Sequence, residues 1–154
     1  MKVEVWCDGA CSIHKDQIGG YGCIIKWGNC VQEISGATLN TTNNQMELMG
    51  AIAAFKAIDD LACHLPCEVV LVSDSQYVIN GMKSWLCKWK QAGWRTASNK
   101  PVKNQKLWQE LSEVSKEHEV QWVWTQGHSD CPENNRCDEL AVVAIEQRRL
   151  QNVS

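Results

Sequence analysis

The first part of the chain alternates apolar and polar residues with the two-residue period of half-buried strands. This alternation predicts strands at residues 3–7, 20–26 and 30–35, the first of them ending at Asp8. Gly28 and Asn29 are typical turn residues and lie between the second and third strands. Strands joined by such short connections form an antiparallel meander.

The pattern becomes helical after residue 41. Residues 42–45 read Thr-Asn-Asn-Gln, which is the form of a capping box, and predict a helix that runs to about residue 60. Its expected apolar stripe consists of Met46, Met49, Ala53 and Ala57. Residues 69–72 are continuously apolar, which predicts a central strand buried on both faces.

The remaining elements are mostly helices. Ser75 should begin one helix, residues 84–91 form a short one closed by Gly93, and residues 102–116 form a longer one. A last strand is expected at residues 120–124, and Pro132 is well placed as the first residue of a helix that reaches about residue 149. This order predicts an α/β domain, a mixed sheet with helices packed on its faces.

Composition and charge narrow the functional classes. The 154 residues fit a single domain, without an apolar run long enough to span a membrane or an apolar leader, so we expect a cytoplasmic protein. The net charge of −3 argues mildly against a nucleic-acid partner. However, residues 83–106 carry seven cations and no acid, which leaves −10 for the rest of the chain. Such a concentrated patch can attract a polyanion.

Nine cysteines are a high count for 154 residues, and an odd number cannot all pair within one chain. We expect reduced, mostly buried thiols, with Cys7, Cys23 and Cys87 replacing small apolar residues in strand-like runs. A metal site at Cys63, His64 and Cys67 remains the alternative, although a second ligand pair at zinc-finger spacing is missing.

Four acids are candidates for a metal site. Asp8 and Asp74 end two predicted strands, Glu47 lies early in the first long helix, and Asp138 shares an inward stripe of the last helix with Ala141, Val142 and Ile145. If the two strands are parallel neighbours, both carboxylates emerge at the same sheet edge. Four carboxylates can hold two hard cations such as Mg²⁺ for phosphodiester cleavage. The alternative is that each acid is a separate cap or surface group.

Local sequences around these acids resemble those of type 1 ribonuclease H. The matching segments occur in the order typical of that family and cover almost the whole chain: 8–12 (DGACS), 19–22 (GGYG), 41–49 (TTNNQMELM), 73–78 (SDSQYV), 100–104 (KPVKN) with 107–108 (LW), 127–128 (GH), 132–134 (PEN) and 136–141 (RCDELA). The resemblance implies a ribonuclease H-like fold, with a five-stranded mixed sheet of three antiparallel and then parallel strands and helices on both faces.

The resemblance also implies roles for matching residues. Asp8, Glu47, Asp74 and Asp138 would bind the metal, and His128 would move protons or help product leave. Contacts to the RNA strand near the cut would come from Cys11, Asn43, Asn44 and Gln76. Thr42 and Asn104 match positions that hold a DNA phosphate.

Residues 83–103, which we call the basic arm, match the protrusion that grips the hybrid in this family. The arm contains Lys90 together with Trp85, Trp89 and Trp94, and Trp108 follows it. Cations attract phosphates and flat aromatic surfaces pack on sugars or bases. Alternatively, these tryptophans form the core of a small helical subdomain. We expect a mixture, with some of them buried and some lining the DNA strand.

The resemblance therefore predicts a single-domain, monomeric endonuclease that hydrolyses the RNA strand of RNA–DNA hybrids and leaves 5′-phosphate and 3′-hydroxyl ends. Its cofactor would be Mg²⁺, with Mn²⁺ as a substitute. Three alternatives remain open: another nuclease of the integrase-like superfamily, a non-catalytic hybrid-binding module, and a structural cysteine-rich protein.

Overall fold

The computed structural model describes residues 1–12, 17–127 and 130–153. These residues form one five-stranded sheet in the order β3-β2-β1-β4-β5. Antiparallel pairing joins the first three strands in sequence, whereas β4 pairs parallel to both β1 and β5. The predicted mixed sheet is confirmed. Its strands are β1 (Lys2–Cys11), β2 (Gly19–Trp27), β3 (Cys30–Thr38), β4 (Glu68–Ser73) and β5 (Glu119–Trp124).

The helices are α1 (Asn43–Leu61), α2 (Gln76–Asn80), α3 (Leu86–Gln91), α4 (Gln105–Ser115) and α5 (Pro132–Val153). A π-helical turn at Gly81–Trp85 joins α2 to α3, so the helix expected to start at residue 84 is continuous with the one before it. Gly81 lies at this turn because a Cβ there would collide with the ring of Trp108. The helix predicted from residue 102 begins only at Gln105, since Asn104 is left-handed (φ 60°).

Strand β1 is longer than predicted. It does not end at Asp8, because residues 9–11 continue the antiparallel pairing with β2 as far as Cys11 opposite Gly19. Asp8 is therefore an interior strand residue, paired with Gly22, rather than a strand terminus.

Helices cover both faces of the sheet, as expected. On one face, Gly20 and Gly22 allow the backbone of α5 to approach so closely that a Cβ at either position would strike a carbonyl of that helix. Tyr21 points to the opposite face, where a Cβ on Gly50 of α1 would lie 3.2 Å from the Tyr21 Cβ. Because successive strand residues point to opposite faces, α1 and α5 lie on opposite sides of the sheet.

The core lies between the sheet and α1. Leu48, Ala51, Phe55 and Ile58 of α1 are fully buried in it. The predicted stripe is correct at Met46 and at Ala57, which packs partly buried against the core, but wrong at Met49 and Ala53, which are only half-buried. The reason is that α1 packs against α4 as well as against the sheet, so its buried face is broader than, and rotated from, the stripe that apolar spacing alone indicates.

Strand β4 is central but is not buried on both faces. Val69 and Leu71 point into the core and are 1% and 0% exposed, whereas Val70 and Val72 on the opposite face are half-buried. That face is less covered because α5 packs mainly on β1, β2 and β3. Within the described ranges, no helix is both long and apolar enough to cross a membrane.

All nine cysteines lie in the described ranges, and none forms a disulfide. The thiols are thus unpaired, as predicted, but fewer are buried than expected. Cys87 was expected to fill a strand-like apolar position, yet it lies exposed on α3, where the helix turns it to solvent. The fully buried ones are Cys7, Cys23, Cys67 and Cys137.

Candidate active site

Two acids meet at one edge of the sheet because β1 and β4 are parallel. Cys7 lies opposite Ser73 in their shared register, so the next residue of each chain segment, Asp8 and Asp74, emerges at the same level. The main chain of Asp74 is held by Trp124, whose indole Nε1–H donates to the Asp74 carbonyl at 3.1 Å. The predicted proximity of these two carboxylates is present in the structure.

Gly9 brings the third acid to the same place. Its backbone N–H donates to Asp8 Oδ1 at 2.9 Å and to Glu47 Oε1 at 3.0 Å. A Cβ at Gly9 would lie 2.6 Å from the backbone nitrogen of Glu47. Only glycine therefore lets the first turn of α1 approach β1 closely enough for the two carboxylates to share one donor.

Asp8, Glu47 and Asp74 form a tight acidic cluster in which one carboxylate oxygen from each lies within 4.8 Å of the others. Asp8 and Glu47 are only 6% and 9% exposed. Moreover, Glu47 Oε2 is buried and has no hydrogen-bond partner among the described residues. Burying like charges together is costly unless a counter-charge is supplied.

The raised pKa values of Asp8 and Glu47 reflect this cost of burial. Burial, followed by the charge of Asp74, raises the pKa of Asp8 from 3.8 to about 7, although a hydrogen bond with Glu47 opposes the rise. Burial, followed by the charges of Asp8 and Asp74, raises the pKa of Glu47 well above its usual range. Both shifts favour protonation in the absence of a cation.

Asp138 lines the same cavity from α5 but does not belong to the tight cluster. It is half-buried, and its charge contributes to the raised pKa of Asp8. The inward stripe predicted around it is correct for Ala141 and Ile145 and wrong for Val142, which is 42% exposed because it points away from the sheet.

Ion pairs fix the N-terminal turns of α5, and with them Asp138. Lys26 of β2 lies 2.9 Å from Glu133. Arg136 donates to both carboxylate oxygens of Glu33 on β3, at 2.7 and 3.1 Å. Two adjacent strands therefore hold the start of this helix in register with the acidic cluster.

The cavity around the acids has a volume of about 440 Å³. All four candidate RNA contacts line it: Cys11, Asn43, Asn44 and Gln76. The cavity is also lined by four residues for which no functional role was predicted: Gly9, Ala10, Ser75 and Tyr77. Tyr77 lies in the same motif as Asp74. Its position three residues after this candidate metal ligand could have indicated that it lies near the site. The rim thus combines small side chains, amides and one phenol.

His128 lies outside the described residues. Its neighbour Gly127 lies beside the acids, since a Cβ on it would be 3.0 Å from Oδ2 of Asp74. The segment that leads to His128 therefore passes next to the cluster.

Thr42 and Asn104 lie away from the acids. Thr42 is the N-cap of α1, and its hydroxyl accepts from the Gln45 backbone N–H at 3.2 Å, which confirms the predicted start of the helix. Asn104 lines a second cavity of about 510 Å³, bordered mainly by α4 and the residues before it. Its side chain contacts Gln45 and Tyr77 rather than the acids.

The tryptophans of the basic arm pack against one another with their rings tilted. Ring centroids are 5.9 Å apart for Trp85 and Trp89 and 6.4 Å apart for Trp89 and Trp94, and all three rings are half-buried. Trp108 is fully buried and packs 5.2 Å from Trp89. Lys90 is exposed. Trp108 is therefore a core residue, while the other three each present a partly open surface.

Comparison with known proteins agrees with this geometry. The family model described as RNase H matches residues 1–146. The chain belongs to the RNase H family. A protein named Ribonuclease H from Geotalea uraniireducens (strain Rf4) is 48% identical over 146 residues, which is 95% of each chain. The Ribonuclease HI of Brucella melitensis biotype 1 is 46% identical over 145 residues, 94% of this chain and 90% of its own length.

Solved structures of the RNase H family are also similar. LC9-RNase H1, described as a type 1 RNase H with the type 2 active-site motif, superposes with a TM-score of 0.85 at 30% identity, over 95% of this chain and 72% of its own. LC11-RNase H1, solved in complex with an RNA/DNA hybrid, gives 0.70 at 21% identity over 95% of this chain and 98% of its own. At 21% identity, the similarity to LC11-RNase H1 shows a shared fold.

The acidic cluster of this RNase H family member fits a divalent cation. The donor set is made of carboxylate oxygens, which hard cations prefer, and contains no sulfur or imidazole. The unpartnered Oε2 of Glu47 is the acceptor that a cation would satisfy. Among the described residues this is the one metal-ligating cluster, so the alternative at Cys63, His64 and Cys67 is not formed.

Proposed function

We propose that this RNase H family member is a metal-dependent endonuclease that hydrolyses the RNA strand of RNA–DNA hybrids. The observation that carries the proposal is the tight cluster of Asp8, Glu47 and Asp74 inside a cavity rimmed by small and amide side chains. The names of relatives at 46–48% identity over nearly the whole chain support it.

The cation is proposed to be Mg²⁺, with Mn²⁺ as a substitute, bound as a pair of ions. Asp8, Glu47 and Asp74 would hold it and Asp138 would complete the site from α5. When bound, the cations supply Lewis acidity and lower the pKa of water for in-line attack on phosphorus. Deprotonated Asp8 and Glu47 are the required forms, and their raised pKa values mean that a cation must displace protons to bind.

The RNA strand is proposed to lie in the cavity beside the acids. Asn43, Asn44 and Gln76 are exposed on its rim, and Cys11 is half-buried there. Amides can both donate to and accept from 2′-hydroxyls in the shallow minor groove of a hybrid, which is how one strand is distinguished as RNA. The products are then a 5′-phosphate and a 3′-hydroxyl.

The DNA strand is proposed to follow the basic arm, residues 83–103 of a single domain. Thr42 and Asn104 would hold one phosphate, and the exposed cations of the arm would supply the salt-dependent part of binding. The half-buried rings of Trp85, Trp89 and Trp94 offer stacking surfaces, and the exposed Lys90 follows Trp89 in sequence. His128 is proposed to exchange protons near the reacting phosphate, since the preceding Gly127 borders Asp74.

The test uses a hybrid whose strands carry different labels, incubated with Mg²⁺ or with EDTA. We expect cleavage of the RNA strand alone, abolished by EDTA and by Asp8→Asn. The matched control is Glu146→Gln, which removes the same charge from an exposed position of α5 and should cleave normally. A folded wild-type protein that leaves both strands intact in Mg²⁺ and in Mn²⁺ would contradict the proposal and leave hybrid binding as the function.

A monomer in the cytoplasm is the proposed form. Nine unpaired thiols support a reducing compartment. Light scattering after size exclusion should give the mass of one chain, and cell fractionation should recover the protein with cytoplasmic markers.

A further inference from the structure

Strand β1 is held at its end from both faces of the sheet. Cys11 is its last residue, and the Cys11 thiol donates to the Thr41 carbonyl, just ahead of α1, at 3.4 Å. The next residue, Ser12, is held from α5, where Arg149 Nη2–H donates to its hydroxyl oxygen at 2.9 Å. Because successive strand residues point to opposite faces, these two bonds lie on opposite sides of the strand.

Backbone bonds close the base of the connection between β1 and β2. The Ser12 N–H donates to the Ile18 carbonyl at 2.8 Å, and the Thr41 N–H donates to the Gln17 carbonyl at 3.3 Å. Ile18 is only 1% exposed, so the base of this connection is part of the packed fold. Ser12 is the residue at which the backbone closure and the bond from Arg149 meet.

The same strand end forms part of the rim of the acidic cavity. Gly9, Ala10 and Cys11 line that cavity, directly ahead of Ser12 in the chain. Cys11 is also one of the residues proposed to contact the RNA strand. A bond that fixes Ser12 therefore restricts the backbone of Cys11 as well, and with it the place of the Cys11 thiol on the rim.

One helix connects this bond to the acids. Arg149 follows Asp138 by about three turns of α5. Between the two residues, the helix packs so closely on β2 that a Cβ on Gly20 would strike the Ala141 carbonyl. This close packing fixes where α5 lies on the sheet, so the helix places Asp138 beside the acids and Arg149 at the end of β1.

The adjacent arginine provides a contrast. Arg148 is half-buried like Arg149 and carries the same charge, yet its buried Nε has no hydrogen-bond partner among the described residues. Arg149 differs from it in donating to Ser12. Replacing Arg148 therefore removes an equal charge from the same turn of α5 and leaves the bond to Ser12 in place, which makes it a matched control.

We propose that Arg149 is a positioning residue for hybrid binding, because it fixes Ser12 and thereby holds Cys11 where its thiol meets the RNA strand. The inference rests on the proposed function, since it concerns how a residue of the proposed RNA rim is kept in place. Arg149 itself touches no reacting atom. Without Arg149, the end of β1 keeps the bond of Cys11 to Thr41 but is no longer held from the α5 side.

The first test measures KM and kcat of Arg149→Met, which keeps an apolar stem but cannot donate a hydrogen bond. We expect KM for the hybrid to rise roughly three- to tenfold, the usual effect of losing one hydrogen bond, with kcat unchanged. Ser12→Ala should have the same effect, and the double variant should be no worse than either single variant. Arg149→Lys, which can still donate, should recover most of the loss, and Arg148→Met should behave as wild type.

The deciding experiment moves a single 2′-deoxyribonucleotide along the RNA strand of the hybrid. Each 2′-hydroxyl that the wild-type protein contacts should give a loss of affinity at its own position. Cys11→Ala identifies the position that depends on Cys11, because the loss there disappears in this variant. Arg149→Met should reduce the loss at that position alone, and Arg148→Met should leave every position as in the wild type.

An unchanged KM for Arg149→Met overturns the inference, and so do additive losses in the double variant with Ser12→Ala. A set of position-specific losses in Arg149→Met that matches the wild type also overturns it. The same holds for a change spread evenly over all positions, because that would reflect a general change in the fold. If Cys11→Ala removes no position-specific loss, the contact that Arg149 is proposed to support is absent and the inference fails.

Failure of the proposed function is read separately. Unmodified hybrid and wild-type protein in Mg²⁺ report whether cleavage occurs at all. Affinities for the 2′-deoxy-substituted hybrids are measured by fluorescence anisotropy in EDTA, so they do not depend on cleavage. Urea unfolding of each variant shows whether it remains folded. Ser12→Ala removes only a hydroxyl group and keeps the comparison available if Arg149→Met does not fold.

Discussion

Replacing Asp8 with asparagine should make the metal-free protein more stable at neutral pH. The Asp8 carboxyl group is 6% exposed and lies in a cluster with Glu47 and Asp74. Burial and then the charge of Asp74 raise its pKa from 3.8 to about 7. Between these values the folded state binds more protons than the unfolded state, so stability falls as pH rises from about 4 and is lowest above about 7.

The size of the stability gain follows from the pKa shift of Asp8. About three pKa units correspond to roughly 4 kcal/mol at neutral pH, at about 1.36 kcal/mol per unit. Asparagine has nearly the same shape, cannot ionise, and keeps an oxygen that can accept from the Gly9 N–H. Since Glu47 and Asp74 still repel each other in the variant, we expect a gain on the order of 2–4 kcal/mol, or roughly 5–15 °C in Tm for a chain of this size.

Thermal and urea unfolding in EDTA, from pH 4 to pH 8, would measure this gain in the stability of Asp8→Asn over wild type. The difference between Asp8→Asn and wild type should be small at pH 4, close to the unfolded-state pKa of 3.8, and should grow up to about pH 7, the pKa in the folded state. Glu146→Gln removes one charge from an exposed site and should show no such growth. A variant that is no more stable at pH 8, or a difference that does not change with pH, would refute the reasoning.

Adding Mg²⁺ should reverse the order of stability. A ligand that binds only the folded state stabilises it in proportion to the logarithm of its concentration above Kd. The wild type should therefore gain Tm with Mg²⁺ while Asp8→Asn gains little, because one of three clustered ligands is gone. Equal gains in both proteins would show that the cation binds elsewhere.

The other predictions concern the hybrid and the packing at the site. His128→Ala should slow turnover and leave Mg²⁺ affinity intact, and an unchanged rate in saturating Mg²⁺ would exclude its role. Gly9→Ala should destabilise the fold by about 1–3 kcal/mol and weaken Mg²⁺ binding, since the new Cβ would lie 2.6 Å from the Glu47 nitrogen; calorimetry measures both. Replacing Lys88, Lys90 and Arg95 of the basic arm together with alanine should raise KM, make KM depend less steeply on salt because fewer phosphates are neutralised, and spare kcat. A loss of kcat at unchanged KM would contradict the proposed role of these cations.

Sequence patterns predicted the sheet well because its signals are local. The two-residue alternation located β1, β2 and β3, and the capping sequence at Thr42 located the start of α1. The acids were found by their local sequences, and the parallel pairing of β1 with β4 then brought Asp8 beside Asp74. Short-range periodicity and motif order were enough for these features.

Features that depend on distant packing were not predictable in the same way. The buried face of α1 depends on α4 as well as on the sheet, so Met49 was misplaced. The half-open face of β4 depends on where α5 lies, which the apolar run at Val70 and Val72 does not show. The bonds of Asn104 to Gln45 and Tyr77 join three separate helical segments, and no local pattern indicates them.

The acids that surround the cavity come from β1, α1, the residue after β4, and α5, which are far apart in the chain. The central pair of strands, β1 and β4, cannot join until the segments between them have been made, and the last acid arrives with the final helix. A growing chain on the ribosome therefore holds three of the acids without the fourth until synthesis has reached α5. The complete set of four can form only once this helix packs over the glycines of β2.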